Sequence, residues 1–182
     1  MGQEYPIAVV GRAYLLRPDT PKEGLQRQPR PGETAAELAE PLRSYAREAS
    51  LVMRPPKVTP NTMYALEATE YAQQQGKFLE FHRAAYRAYW EDGKDLGDLA
   101  VLEELALATP LDWAELRQRL EGHFYTAAVM GQYQEALQHG IQGIPTFVVG
   151  NLLFTGAHPY PVFQAAIRRV LGQEPPRRVR PE

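Results

Sequence analysis

Gly143-Ile144-Pro145-Thr146-Phe147 (GIPTF) is the stretch on which the fold turns. A proline directly ahead of a strand removes a backbone donor, so sheets normally keep it out of such places. The residues that follow, Thr146 to Val149, Gly150-Asn151 and Leu152 to Thr155, alternate with a period of two around a pair that tolerates positive φ. That pattern predicts two strands joined by a two-residue hairpin turn. A cis Ile144–Pro145 bond would turn the chain sharply ahead of the hairpin and leave the Ile144 backbone exposed for pairing with an extended ligand.

On the C-terminal side, Tyr160 to Leu171 (YPVFQAAIRRVL) reads as an amphipathic helix closed by Gly172. The tail Pro175 to Glu182 carries too little apolar content to order itself. Gly156-Ala157-His158 is read as the start of the last helix, where unpaired N–H groups favour an anion, although capping or packing is the simpler role for Ala157 and His158. On the N-terminal side of GIPTF, Gly140 stands where a helix needs a left-handed terminator. Further back lie a helix capped by Asp112 with Glu115 beside it, and a shorter one capped by Asp98. An aromatic stripe (Phe78, Phe81, His82, Ala85, Tyr86, Tyr89) sits at helical spacing and is expected to be buried. Thr59-Pro60 supplies an N-cap and first-turn proline for a helix that continues through Tyr64, Leu66, Ala68, Tyr71 and Ala72 to Gly76. Glu33 to Ser50 is helical with a break expected at Pro41, and Thr20 to Gly32 is a proline-rich surface excursion. Tyr5 to Leu16 (YPIAVVGRAYLL) reads as a buried strand.

Composition narrows the chemistry. With 182 residues the chain fits one core with an insertion. A net charge of -2 gives no excess positive field for nucleic acid, and no apolar run is long enough to span a bilayer. The start, Met1 to Pro6, lacks the pattern of a signal peptide, so the reading is cytoplasmic, with neither nucleic acid nor membrane as partner. There are no cysteines, which excludes thiol nucleophiles, thiolate metal sites and Cys-x-x-Cys chemistry for the sequence as written. His82, His123, His139 and His158 form no pair at i, i+3 or i, i+4, so no metal site is expected. Glu67, Glu70, Glu103 and Glu104 read as ordinary polar helix faces, and no residue is assigned a catalytic role or a cofactor.

The order of helix, GIPTF, hairpin and final helix resembles the C-terminal half of the DsbA-like branch of the thioredoxin superfamily, in particular its FrnE-like cytoplasmic group. The resemblance extends over Leu15 to Gly24 (LLRPDTPKEG), Asn61-Thr62, Ala85 to Gly93 (AYRAYWEDG), Asp98 to Leu102 (DLAVL) and Gly140 to Phe147, in the family's order. It implies an α/β, thioredoxin-like fold with an inserted helical domain and the first βα unit apparently missing. Residues 1–32 would hold the second strand of the core and the excursion, 33–131 the helical insertion, 132–174 the C-terminal half and 175–182 a disordered tail. Ile144, Pro145 and Thr146 would form the cis-proline segment that holds a substrate backbone, while Gly156, Ala157 and His158 correspond to a ligand-holding turn in glutathione-dependent relatives.

The departure is the Cys-x-x-Cys motif and the strand ahead of it, which in the family lie upstream of the strand expected at Tyr5. Without that interior strand, Val9, Tyr14, Phe147 and Val149 would close on one another or leave unpaired edges. A fragment, a paralogue without the redox half, and a strand donated by a partner each explain this, the fragment being favoured because a central strand is costly to delete. The implied function is a thiol-disulfide oxidoreductase of which this chain carries the docking half. Its partners would be an extended peptide or thiol/disulfide substrate, with a homo-oligomer or a strand-donating partner. One alternative is a glutathione-dependent isomerase or transferase of the 2-hydroxychromene-2-carboxylate isomerase and kappa-class type, for which Ser44 and Ser50 are misplaced. The other is a catalytically inactive peptide-binding module.

Overall fold

The computed structural model describes residues 4–173, and these fall into two compact units. One is formed by residues 11–134 and the other by residues 4–10 with 135–173. The expected tail Pro175 to Glu182 lies outside the described residues.

The larger unit is helical. Its elements are β1 (Leu25–Gln26), α1 (Leu42–Glu48), β2 (Val58–Thr59), α2 (Met63–Gln74), α3 (Phe78–Trp90), α4 (Leu99–Ala108) and α5 (Trp113–Glu121). The next helix, α6 (Thr126–Gln138), begins in this unit and runs into the other. Helices α2, α3, α4 and α5 pack on one another through a core that includes Ala68, Tyr71, Phe81, Leu102, Leu116 and Leu120. Two aspartates set helix starts: Asp98 Oδ1 accepts from the Ala100 N–H at 2.9 Å, and Asp112 Oδ1 from the Glu115 N–H at 3.0 Å. Glu115 does not return the favour as a capping box would. Its Oε2 accepts from the Tyr71 hydroxyl at 2.8 Å, and its Oε1 lies 2.5 Å from Arg119 Nη2, so it ties α5 to α2. Burial, and then the Glu115 carboxylate, push the Tyr71 hydroxyl up to about 12.

The start of α2 differs from the expectation. Thr59 belongs to β2, whose Val58 and Thr59 pair antiparallel with Gln26 and Leu25, and the helix begins only at Met63. The cap-type bond comes from Asn61, whose Oδ1 accepts from the Met63 N–H at 3.0 Å. The same β1–β2 pairing means that the supposed excursion from Thr20 to Gly32 includes a short strand. The helix expected over Glu33 to Ser50 is confined to Leu42–Glu48, after Pro41.

Tyr5 to Leu16 is not a strand in the structure, because no described strand pairs with it. The portion in the helical unit nevertheless alternates, with Ala13 and Leu15 buried. The Ala13 N–H donates to Gln132 Oε1 at 2.5 Å, and Tyr14 meets Tyr133 edge-on with ring centroids 5.3 Å apart. Gly11 is needed here, since a Cβ on it would lie 2.2 Å from the Phe78 ring.

In the smaller unit, α6 ends in a Schellman-type turn: the Gly140 N–H donates to the Leu137 carbonyl at 3.0 Å and the Ile141 N–H to the Ala136 carbonyl at 2.9 Å. Then come β3 (Thr146–Val149), β4 (Leu152–Thr155) and α7 (Tyr160–Val170). The hairpin register pairs Thr146 with Thr155, Phe147 with Phe154, Val148 with Leu153 and Val149 with Leu152. Gly150 alone in the turn has positive φ, at 61°, as a turn with glycine at its first central position requires. One sheet face packs on α7, with Phe163 edge-on to Phe147 at 4.8 Å and to Phe154 at 5.3 Å between centroids. On the other face Val148 is 64% and Leu153 50% exposed.

Candidate functional site: the open edge of the hairpin

The sequence-predicted residues Ile144, Pro145 and Thr146 sit together at the entry to β3. The Ile144–Pro145 peptide bond is cis, as is Glu40–Pro41 in the helical unit. Thr146 anchors the loop, since its hydroxyl donates to the Gly143 carbonyl at 2.8 Å and lies 3.1 Å from the Thr155 hydroxyl across the hairpin. The Pro145 carbonyl accepts from the Gly156 N–H at 2.8 Å. That bond extends the ladder by one step and sets its phase.

Hydrogen-bonded and non-hydrogen-bonded pairs alternate along an antiparallel ladder. With Pro145 and Gly156 bonded, Phe147/Phe154 and Val149/Leu152 are the bonded pairs, and the backbone groups of Thr146 and Val148 point to the opposite edge of β3. No described strand occupies that edge. Ile144 is in the same phase, its side chain is 48% exposed, and its N–H and C=O have no partner among the described residues. Ile144, Thr146 and Val148 thus present alternate donors and acceptors along one open edge, the geometry that accepts an extended chain.

Gly156, Ala157 and His158 do not start α7. The helix begins at Tyr160 with Pro159 at its cap, so the three lie in the loop before it and the helix-terminus argument for an anion does not reach them. Gly156 needs its glycine, having φ of 100°, while His158 Nε2 is 3.0 Å from the Thr155 carbonyl and its ring meets Phe154 edge-on. His158 is therefore a hairpin brace.

One cluster in the helical unit was missed by the sequence reading. Glu67, read as a polar face, has no exposed surface. Its Oε1 accepts from the Thr126 hydroxyl at 2.6 Å and lies 4.0 Å from His123 Nδ1, whereas its Oε2 has no hydrogen-bond partner. The signal was in the spacing: Tyr64, Glu67, Ala68 and Tyr71 fall at i, i+3, i+4 and i+7, so Glu67 sits on the apolar stripe of α2. Among the described residues no group of three His, Asp or Glu side chains is placed to hold a metal ion, and no helix is long and apolar enough to cross a membrane.

Comparison with known proteins agrees with this architecture. A probable DsbA oxidoreductase from Streptomyces coelicolor superposes with a TM-score of 0.66 at 27% identity, covering 75% of this chain and 60% of that one. The uncharacterized protein YwbO of Bacillus subtilis (strain 168) is 30% identical over 118 residues, which are 62% of this chain and 58% of YwbO. The chain thus spans about 60% of the length of these relatives. The DSBA-like thioredoxin domain model matches residues 2–168, nearly the whole chain, and with its α/β, thioredoxin-like fold the protein belongs to that family.

Proposed function

We propose that this chain is the substrate-docking part of a FrnE-like thiol-disulfide oxidoreductase, and that it holds an extended polypeptide through the backbone of Ile144 beside Pro145. The observation that carries this reading is the phase of the hairpin, which leaves Ile144, Thr146 and Val148 facing one unoccupied edge. Backbone pairing is tolerant of side-chain identity, which suits an enzyme class that meets many unfolded substrates. On this chain the edge runs unbroken from Ile144 through Thr146 to Val148, and the extended polypeptide pairs along all three.

The chemistry of the class needs a dithiol. A thiolate attacks one sulfur of the substrate disulfide, the S–S bond breaks as a mixed disulfide forms, and a second thiolate displaces the product; the dithiol is oxidised and the substrate reduced by the same electron pair. This sequence contains no cysteine, so both sulfurs must come from outside it. The lack of thiols equally favours a second reading, a binding module that uses the same edge without turnover.

The test is binding of a fluorescent, extended, cysteine-free peptide to the wild-type chain and to Val148→Pro. The Val148 N–H points to the open edge, so proline there removes a docking donor without cutting a β3–β4 bond. Weaker binding to the variant is expected; equal affinity would overturn the edge assignment. Insulin reduction by this chain alone is expected to be nil, and turnover would contradict the assignment of the dithiol to residues outside it.

A further inference from the structure

A cavity of about 350 Å³ opens in the helical unit at the start of α2, well apart in chemistry from the hairpin edge. That volume is within the range of small-molecule sites, roughly 300–1,000 Å³. Arg17 and Lys22 line it, both on exposed chain, and neither has an ion-pair partner among the described residues. Asn61 fixes the wall between them and the helix, its Nδ2 donating to the Thr20 carbonyl at 2.7 Å while its Oδ1 holds the Met63 N–H. Gly97 closes in on that wall, where a Cβ would lie 3.0 Å from the Asn61 carbonyl oxygen.

The remaining wall is His123. Its ring stacks on Tyr64 with centroids 6.0 Å apart and planes 25° from parallel. It occupies the left-handed position after α5, with φ of 53°, where the turn would be better served by glycine. The His123 N–H donates to the Leu120 carbonyl at 3.1 Å and the Phe124 N–H to the Arg119 carbonyl at 2.9 Å, so the turn holds the ring where it is. Behind it lies Glu67, one helical turn beyond Met63 and Tyr64 on the same face of α2, wholly buried and with Oε2 unpartnered. A buried carboxylate with an unmade bond is costly, and packing alone does not call for a charge there. Glu67 Oε1 lies 4.0 Å from Nδ1, too far for a hydrogen bond but near enough for the carboxylate to bias which edge of the ring turns toward it.

We propose that this cavity binds a small organic anion, a carboxylate or a phosphate ester, between Arg17 and Lys22 on one side and His123 on the other, with Glu67 as the positioning residue for the imidazole. Arg17 and Lys22 bring two positive charges to the mouth of the cavity, His123 adds a ring nitrogen, and a guanidinium favours the planar, two-oxygen geometry of these anions. The Tyr64–His123 stack offers a flat surface for the organic part. The proposal does not depend on peptide docking at β3.

The experiment is an NMR titration of the full 182-residue chain with inorganic phosphate and, separately, with benzoate, following the His123 ring and the Asn61 side-chain amide. Saturation by either probe is expected at millimolar concentrations, phosphate alone indicating a phosphate ligand and benzoate a planar carboxylate. The double variant Arg17→Gln/Lys22→Gln, altered only at exposed positions, is expected to bind at least about tenfold more weakly. Glu67→Gln is expected to move the ring resonances of His123 in the free protein and to weaken binding by a smaller factor; where it does not fold, His123→Gln replaces it and is expected to weaken binding. No saturation at tens of millimolar by either probe, or undiminished binding in the double variant, would overturn the proposal.

Discussion

Leu102 and Leu107 lie on the same helix and offer the same chemical deletion in opposite surroundings. Leu102 is fully buried where α4 meets α2, α3 and α5, whereas Leu107 is 66% exposed. Truncating Leu102 to alanine removes three carbons, worth about 2 kcal/mol of transfer free energy. The hole left among four helices adds to that, because backbones of packed helices collapse only partly, so the total should be about 3–4 kcal/mol. Leu107→Ala leaves water where there was already water and should stay within about 0.5 kcal/mol. The chain's two tryptophans, Trp90 and Trp113, sit in α3 and α5, so their fluorescence reports on the core being perturbed. In urea, with a slope of about 2 kcal/mol/M, the Leu102→Ala midpoint should fall by about 1.5–2 M while that of Leu107→Ala scarcely moves. Equal shifts for the two variants would refute the packing described for α4.

Three further outcomes follow from local geometry. Gly150→Ala should destabilise the hairpin by about 1–2 kcal/mol, since the turn requires φ of 61° and the new Cβ would also meet Val170 Cγ2 at 2.8 Å; exchange of the β3–β4 amides reads this directly. Asp112→Ala should cost about 1 kcal/mol by chemical denaturation, while Thr62→Ala, at a helix start where the side chain makes no capping bond, should cost almost nothing. Arg27, by hydrogen bonding to Glu33 at 2.6 Å, holds that carboxyl below its ordinary 4.5; its contribution is therefore complete above that value and lost as pH falls through the lower, folded-state pKa. The stability difference between wild type and Glu33→Gln should accordingly shrink below pH 4.5 and be constant at neutral pH.

Much of this architecture is legible in the amino-acid sequence, for reasons that are local. Asp98 and Asp112 announce helix starts because their side chains satisfy backbone donors within three residues, and Gly140 announces a helix end because few other residues take positive φ. The Gly150-Asn151 turn fixes the hairpin register in the same way. What escaped the reading depends on partners distant in the chain. Tyr5 to Leu16 has the composition of a strand, but a strand exists only with a neighbour, and here Ala13 and Leu15 are buried without one, the Ala13 N–H bonding to the side chain of Gln132 on α6 instead. Leu25–Gln26 shows no strand signal of its own and is drawn into pairing by Val58–Thr59. The aromatic stripe of α3 divides: Phe81 is buried, while Phe78, His82 and Tyr86 stack along the helix with centroids 5.1 and 4.6 Å apart and Tyr86 half exposed. Desolvation on that stack lowers the His82 pKa, a consequence visible only once the neighbouring rings are in place.

At the candidate site, GIPTF marks the place in the chain where the cis Ile144–Pro145 bond leads into β3, but the phase of the edge emerges only from the Gly156-to-Pro145 bond. The supposed helix-terminal turn at Gly156-Ala157-His158 fails because Pro159, with φ of -60°, is the cap and α7 begins at Tyr160, where the amphipathic pattern itself starts. Glu67 is the most instructive miss, an acidic residue on an apolar stripe whose meaning depends on Thr126 and His123 from the other end of the helical unit.

Residue-resolved amide exchange of the hairpin, with and without an extended cysteine-free peptide, tests the central claim most directly. Phe147 and Val149 bond across to β4 and should exchange slowly in both samples, whereas Ile144, Thr146 and Val148 should exchange fast alone and slow when peptide is added. Protection that appears at Ile144, Thr146 and Val148 in that alternating pattern is the result this account predicts. Exchange at those three residues that peptide leaves unchanged would contradict it.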